Sequence, residues 1–163
     1  MTSSISHAVR PKTEGYLVLR RQALMALLAE ATKDEICQIL SDIGAGALAA
    51  AAVDLRRPES GLVMLRGRAG GDGRAFNLGE ATVTRAAIRL PDGRTGFAYQ
   101  LGRDSEKARI SAILDALCQG DEHVAVERAA RTVRQRVAAE AETKARRVAA
   151  TKVDFFTMVR GED

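Results

Sequence analysis

The sequence predicts an α+β fold, a four-stranded antiparallel sheet flanked by an N-terminal helical hairpin and long C-terminal helices. Three observations carry this expectation. Apolar residues recur at helical spacing through the first third of the chain and again after Asp104. Between them, from Val53 to Leu101, the period shortens to that of strands, and turn residues break the region into short pieces.

Residues 1–12 are polar and are expected to form a flexible N-terminus. From Lys12 to Ala31 the positions Tyr16, Leu24, Leu27, Leu28 and Ala31 mark a helix. Thr32-Lys33-Asp34-Glu35 fits a capping box, in which hydroxyl and carboxylate each satisfy an exposed backbone N–H. Ile36, Ile39, Leu40 and Ile43 follow at helical spacing, and Gly44 suits a left-handed stop. Two such helices in succession predict the hairpin.

Val53 and Leu55 then alternate with Asp54 and Arg56, and Pro58-Glu59-Ser60-Gly61 supplies turn chemistry before a second strand, Leu62–Leu65. Ala81–Leu90, with Thr82, Val83, Thr84 and Ile88, reads as the third strand. Pro91-Asp92-Gly93 punctuates it, and Thr95–Leu101 is the fourth. Short strands joined by turns pair antiparallel, with helices covering one face. Helix returns at Asp104, a good N-cap, with Ile110, Ile113, Leu114 and Leu117 on one face and Gly120 closing it. Asp121 can cap a further helix carrying Val124, Ala130, Val133 and Val137. Its later part, Ala138–Ala150, is almost purely alanine plus charge and has little to bury alone.

A chain of 163 residues with 46% hydrophobic and 28% charged residues is long and apolar enough for one globular domain. Aromatics are only 4% and Trp is absent, so the core must be built from Leu, Ile, Val and Ala. No apolar run reaches the roughly 18–20 residues of a membrane span, and the first residues lack the apolar region of a secretory signal. The expected location is therefore the cytoplasm, away from any membrane. Cys37 and Cys118 stand far apart with no CxxC pair, and His7 and His123 are isolated, which argues against a disulfide framework or a metal site. The net charge of +4 is concentrated late, at residues such as Arg128, Arg131, Lys144 and Arg146. Without aromatic stacking residues or a recognition motif, this reads as a solvated helix face and not as a nucleic-acid site.

The densest motif is Arg66–Glu80, RGRAGGDGRAFNLGE. It is not a dinucleotide fingerprint, because Phe76 occupies the third glycine position and a strand follows where a helix is needed. It is not a Walker loop either. Arg66, Arg68 and Arg74 could bring charge to a phosphate with glycine N–H groups as donors, and Asn77 and Glu80 lie beside them. The plainer reading is a turn with solvated arginines, in which Glu80 caps backbone N–H groups. No nucleophile elbow or catalytic pair accompanies the motif. The tail Thr151–Asp163 turns apolar again, and Phe155, Phe156 and Met158 are candidate interface anchors, docking on this chain or on another.

PESGLVMLRGRA at Pro58–Ala69, FNLGEATVTR at Phe76–Arg85, Gly102-Arg103-Asp104 and the tail TKVDFFTMVRGED together resemble the carbon–phosphorus lyase PhnG family. The resemblance runs from about Tyr16 to the end. It implies one PhnG-like domain over 13–163 with a C-terminal docking tail at 151–163. It further implies an accessory subunit of the phosphonate-degrading core complex, assembled with I, J and H subunits and a second copy of itself, alongside an ATP-binding-cassette-like L subunit. In that family MgATP is a substrate of the complex. An alkylphosphonate displaces adenine from the ribose C1′, giving α-D-ribose 1-methylphosphonate 5-triphosphate, with the nucleosidase chemistry assigned to the I subunit. This chain is then expected to bind no cofactor, metal or nucleic acid, and to hold no active site of its own. The alternative is a stand-alone phosphate- or nucleotide-binding module built on the Arg/Gly-rich loop.

Overall fold

A computed structural model of the protein describes residues 12–68 and 73–151. The elements run α1 (Lys12–Glu30), α2 (Lys33–Ile43), α3 (Gly46–Ala50), β1 (Val53–Arg68), β2 (Ala75–Arg89), β3 (Thr95–Leu101), α4 (Ser105–Leu117), α5 (His123–Ala129) and α6 (Arg131–Ala150). The capping box forms as expected. The Glu35 N–H donates to Thr32 Oγ1 at 3.3 Å and the Thr32 N–H to Glu35 Oε2 at 2.8 Å. Gly44 ends α2 at φ 71°. α1 and α2 follow each other directly, yet their chief packing partners are α4 and its neighbours. Tyr16, one of the apolar positions that marked α1, is exposed, whereas Leu24, Leu27, Leu28 and Ala31 are buried.

The sheet has three strands in the order β1-β2-β3, all antiparallel, and this corrects the expected four. The two strands expected on either side of Pro58-Glu59-Ser60-Gly61 are one continuous β1. Those residues do not turn the chain, because β1 is an edge strand and can carry proline where no ladder N–H is required. The register jumps there from Arg56 opposite Ala87 to Glu59 opposite Arg85, so Arg57 and Pro58 bulge out of the ladder. Ser60 is back in register opposite Thr84, its hydroxyl 2.9 Å from Thr84 Oγ1.

α4 lies on one face of the sheet and forms the centre of the fold. Eight of its residues are buried, including Ala108, Ala112, Ile113, Leu114 and Leu117. They meet the small side chains of Ala86 and Ala98 and the larger Ile88, while Leu28, Ile36, Ile39 and Val126 close the core from the other helices. The approach is close enough to require glycine at one point. A Cβ on Gly96 would overlap the Ala112 carbonyl oxygen and stand 2.8 Å from the Ala116 nitrogen.

Polar side chains fasten this layer. Arg21 of α1 grips the buried Asp115 carboxylate of α4 through Nε at 2.8 Å and Nη2 at 2.7 Å. The same carboxylate accepts the Phe97 N–H at 2.9 Å, and Gln119 Nε2 donates to the Thr95 carbonyl at 2.7 Å, so side chains of α4 and of Gln119, two residues beyond it, occupy the outer edge of β3. Arg94 donates to both oxygens of Glu122 at 2.7 and 3.0 Å and to Asp92 at 2.6 Å, and its guanidinium also reaches the carbonyls of Ala116 and Leu117 at the C-terminal end of α4. These carboxylates hold the Arg94 pKa well above its ordinary value. The helix expected to run on from Asp121 is broken. α5 ends at Ala129 and α6 starts at Arg131, with Ala130 fully buried between them. Arg136 anchors α6 to the rest, bonding Glu35 at 2.7 and 2.9 Å and the Glu30 carbonyl at 3.1 Å.

Two measurements test this account. Gly96→Ala should destabilise the free chain by about 2 kcal/mol or more in urea unfolding, the order expected of an overpacked core. Gly61→Ala, where an added Cβ meets nothing within 4 Å, should stay within about 0.5 kcal/mol. The second concerns pH. Arg94 hydrogen bonds lower the Glu122 pKa below its ordinary 4.5, so the stability this pair contributes is present above pH 4.5 and is lost as pH falls through the lower, folded-state value. Glu122→Gln should therefore flatten the acid limb of an unfolding-free-energy profile measured between pH 7 and 3.

Candidate functional site

β1 and β2 continue well past the end of β3. The last β2–β3 pair is Val83 with Leu101, whereas β1 and β2 pair on to Arg68 and Ala75. Leu62–Arg68 and Ala75–Thr82 therefore form a two-stranded arm about 20 Å long, at ~3.3 Å per residue. Most of the motif Arg66–Glu80 lies in this arm. Arg66–Arg68 and Ala75–Glu80, expected within a loop, are strand.

Arg66 stands opposite Asn77 and Arg68 opposite Ala75. Arg68 Nη1 donates to the Gly73 carbonyl at 3.2 Å. Arg74 directly precedes β2. Glu80 sits within β2 opposite Met64, outside the turn it was expected to cap. All five residues are exposed. Arg66, Arg68, Arg74 and Asn77 stand in the far half of the arm as a solvated cationic tip, whereas Glu80 lies nearer its base. Phe155, Phe156 and Met158 lie outside the described residues. Among the described residues no group of three or more His, Cys, Asp or Glu side chains is placed to hold a metal ion.

The sequence reading missed two apolar surfaces. The first is the arm itself. Leu62, Met64, Leu65, Phe76 and Leu78 are all exposed, with Leu62 and Leu78 each at 63%. The second is the face of the sheet opposite α4. Residues paired across antiparallel strands share a face, so Phe97, Ala87 and Arg56 lie together, then Tyr99, Arg85 and Glu59, then Leu101, Val83 and Gly61. Phe97, Tyr99 and Leu101 are 51%, 60% and 71% exposed, while Gly96, Ala98 and Gln100 between them face α4 and are buried. The strict alternation was visible in TGFAYQL, but periodicity alone places the larger side chains inward. Every described aromatic residue, Tyr16, Phe76, Phe97 and Tyr99, is in fact exposed.

This distribution is what a chain with built-in contact surfaces shows. A two-stranded ribbon is marginal in water without something to pack on, and exposed aromatic clusters mark sites of association. The comparison with known proteins agrees. Residues 19–161 match the family described as phosphonate metabolism protein PhnG. The chain belongs to that family. It is 48% identical over 154 residues to a protein of Rhizobium meliloti (strain 1021) named alpha-D-ribose 1-methylphosphonate 5-triphosphate synthase subunit PhnG, with 90% of this chain and 92% of the relative covered. Of the stretches that carried the resemblance, Pro58–Arg68 and Phe76–Arg85 fall in the arm and at its base, Gly102-Arg103-Asp104 lies between β3 and α4, and the tail beyond Thr151 lies outside the described residues. No described helix is long and apolar enough to cross a membrane.

If the arginines of the tip are solvated and not structural, Arg66→Ala, Arg68→Ala and Arg74→Ala should each move the stability of the free chain by less than about 0.5 kcal/mol. Chemical denaturation of the three variants checks this, and a loss above about 1 kcal/mol would mean that the tip is held by these side chains.

Proposed function

We propose that this chain is a non-catalytic subunit of an α-D-ribose 1-methylphosphonate 5-triphosphate synthase acting in phosphonate metabolism, and that the arm joins it to the assembly. The relationship to the Rhizobium meliloti subunit supports the reaction. One structural observation carries the role: the arm projects beyond the sheet with leucine, methionine and phenylalanine side chains open to solvent. Such a ribbon, left open among the described residues, gains packing from the surface of another molecule.

In this reading MgATP and an alkylphosphonate are substrates of the whole assembly, in which the phosphonate displaces adenine from the ribose C1′. The I subunit performs the nucleosidase chemistry and is the first partner of the arm. J and H subunits and a second copy of this chain complete the core, with an L subunit alongside. This chain contributes no cofactor. The arginines of the tip act as contacts, carried by the arm towards a neighbouring subunit.

Co-expression with the I-type subunit should give a complex that survives affinity purification at low salt. Leu62→Lys combined with Met64→Lys should abolish co-purification and leave the melting curve of the free chain unchanged, because both side chains are exposed and position 64 stands opposite Glu80. Clean separation of the two wild-type chains would overturn the reading. Isothermal titration of the free chain with MgATP should show no binding tighter than millimolar, and a micromolar Kd would instead favour a stand-alone nucleotide-binding module.

A further inference from the structure

The open face of the sheet has a shape and a charge that the arm does not explain. Along β3 the side chains of Phe97, Tyr99 and Leu101 form a ridge. Beside it, on β2 and β1, the same face carries the small residues Ala87, Val83, Ala81 and Gly61, a low floor crossed midway by the Arg85–Glu59 ion pair. Strands spaced about 4.8 Å apart give that floor a width near 10 Å, close to the diameter of an α-helix with its side chains. On the other face of the same sheet α4 already lies on small side chains in this manner.

Charge narrows the occupant further. Arg56 and Arg85 stand on this face and both turn to the same carboxylate, Glu59, at 3.2 and 2.8 Å. One carboxylate between two guanidinium groups leaves a positive charge over. A cleft of about 260 Å³ opens beside them, bounded by Arg56, Arg85, Ala87, Phe97 and Tyr99. It is apolar on the aromatic side and cationic on the other. A carboxylate-bearing side chain entering there would pair with the arginines while its stem lay on the rings.

We propose that this face receives an amphipathic helix of another synthase subunit, with its apolar side on the β3 ridge and one Asp or Glu side chain in the Arg56–Arg85 cleft. The proposal rests on the subunit reading above and names a second contact surface, separate from the arm. Among the described residues, the exposed helix that this chain could itself offer is the distal part of α6, where Lys144, Arg146 and Arg147 outnumber Glu140 and Glu142. It would bring further positive charge to the cleft, so a second copy of this chain does not suit the site.

The test uses the co-expressed complex of this chain with the other synthase subunits. The photo-crosslinking amino acid p-benzoylphenylalanine is placed at position 99, and products are mapped by mass spectrometry. The expected product joins position 99 to a helical segment of another subunit that contains Asp or Glu. A product with a second copy of this chain, a product with a segment lacking acidic residues, or no product from an intact complex would each overturn the proposal. In parallel, Arg85→Glu and Tyr99→Ala should each weaken association by roughly tenfold or more, as hot-spot residues do, with the melting curve of the free chain as the control for folding. Wild-type affinity in both variants would remove the second surface and leave the subunit reading standing. Failure of the wild-type chain to co-purify would instead remove the subunit reading, and this proposal with it.

Discussion

The fold depends on how closely α4 can approach the sheet. Gly96 has no side chain because the Ala112 carbonyl occupies the place where a Cβ would stand. Around that point the contact layer is alanine on both sides, Ala86 and Ala98 below, Ala108, Ala112 and Ala116 above. Close packing of small residues maximises dispersion contacts but buries little area per residue. The polar fastening of the same layer makes sense in that light. Asp115 is buried at 2% exposure, and both of its oxygens are engaged by Arg21 while one also accepts the Phe97 N–H. A buried carboxylate is tolerable only with that degree of satisfaction. It ties α1, α4 and β3 together at one place, and it occupies an outward N–H on the β3 edge that would otherwise be open to strand pairing.

A thin alanine layer has a consequence for the rest of the molecule. The aromatic side chains, which could bury the most area, have no room inside. All four in the described residues are exposed, and they stand on α1, the arm and the open face of the sheet. The chain thus separates two tasks. Leucine, isoleucine, valine and alanine hold the monomer together, and the larger rings lie where another surface can cover them. This is the composition expected of a subunit, in which part of the apolar area finds its cover only on assembly.

Much of this was legible in the sequence where local chemistry decides the outcome. The Thr32–Glu35 capping box, the Gly44 stop, the Asp104 cap, which accepts the Lys107 N–H at 2.8 Å, and the bounds of β3 follow from residue types at fixed spacing. What failed was set by tertiary context. Pro58-Glu59-Ser60-Gly61 has turn composition, and only its place on an edge strand lets it remain extended as a bulge. The orientation of β3 could not be read from alternation either, since two faces of TGFAYQL alternate equally well and the small set faces the helix. Of the candidate site residues, Arg66, Arg68, Arg74, Asn77 and Glu80 are close in sequence and are all carried on the arm, yet they are spread along it from Arg68 back to Glu80. A phosphate loop and the end of a long hairpin share the same composition, glycine with arginine, because both need a backbone free of bulk.

The arm itself combines three parts with separate physical roles. At its base the Pro58 bulge releases the strand from strict register, and Glu59, bonded to both Arg56 and Arg85, bridges β1 to β2 just beyond it. The shaft, Leu62–Leu65 against Gly79–Thr82, is free of charge except at Glu80, so its interaction with a neighbour is dominated by apolar area. The tip is cationic. A shaft of this kind contributes adhesion with little direction, whereas charges at its end act at longer range and oppose a wrongly charged surface. Arg66, Arg68 and Arg74 are therefore best understood through the distance at which the arm holds them. About 20 Å from the rest of the sheet, they are the charges that a surface approaching the end of the arm would meet first.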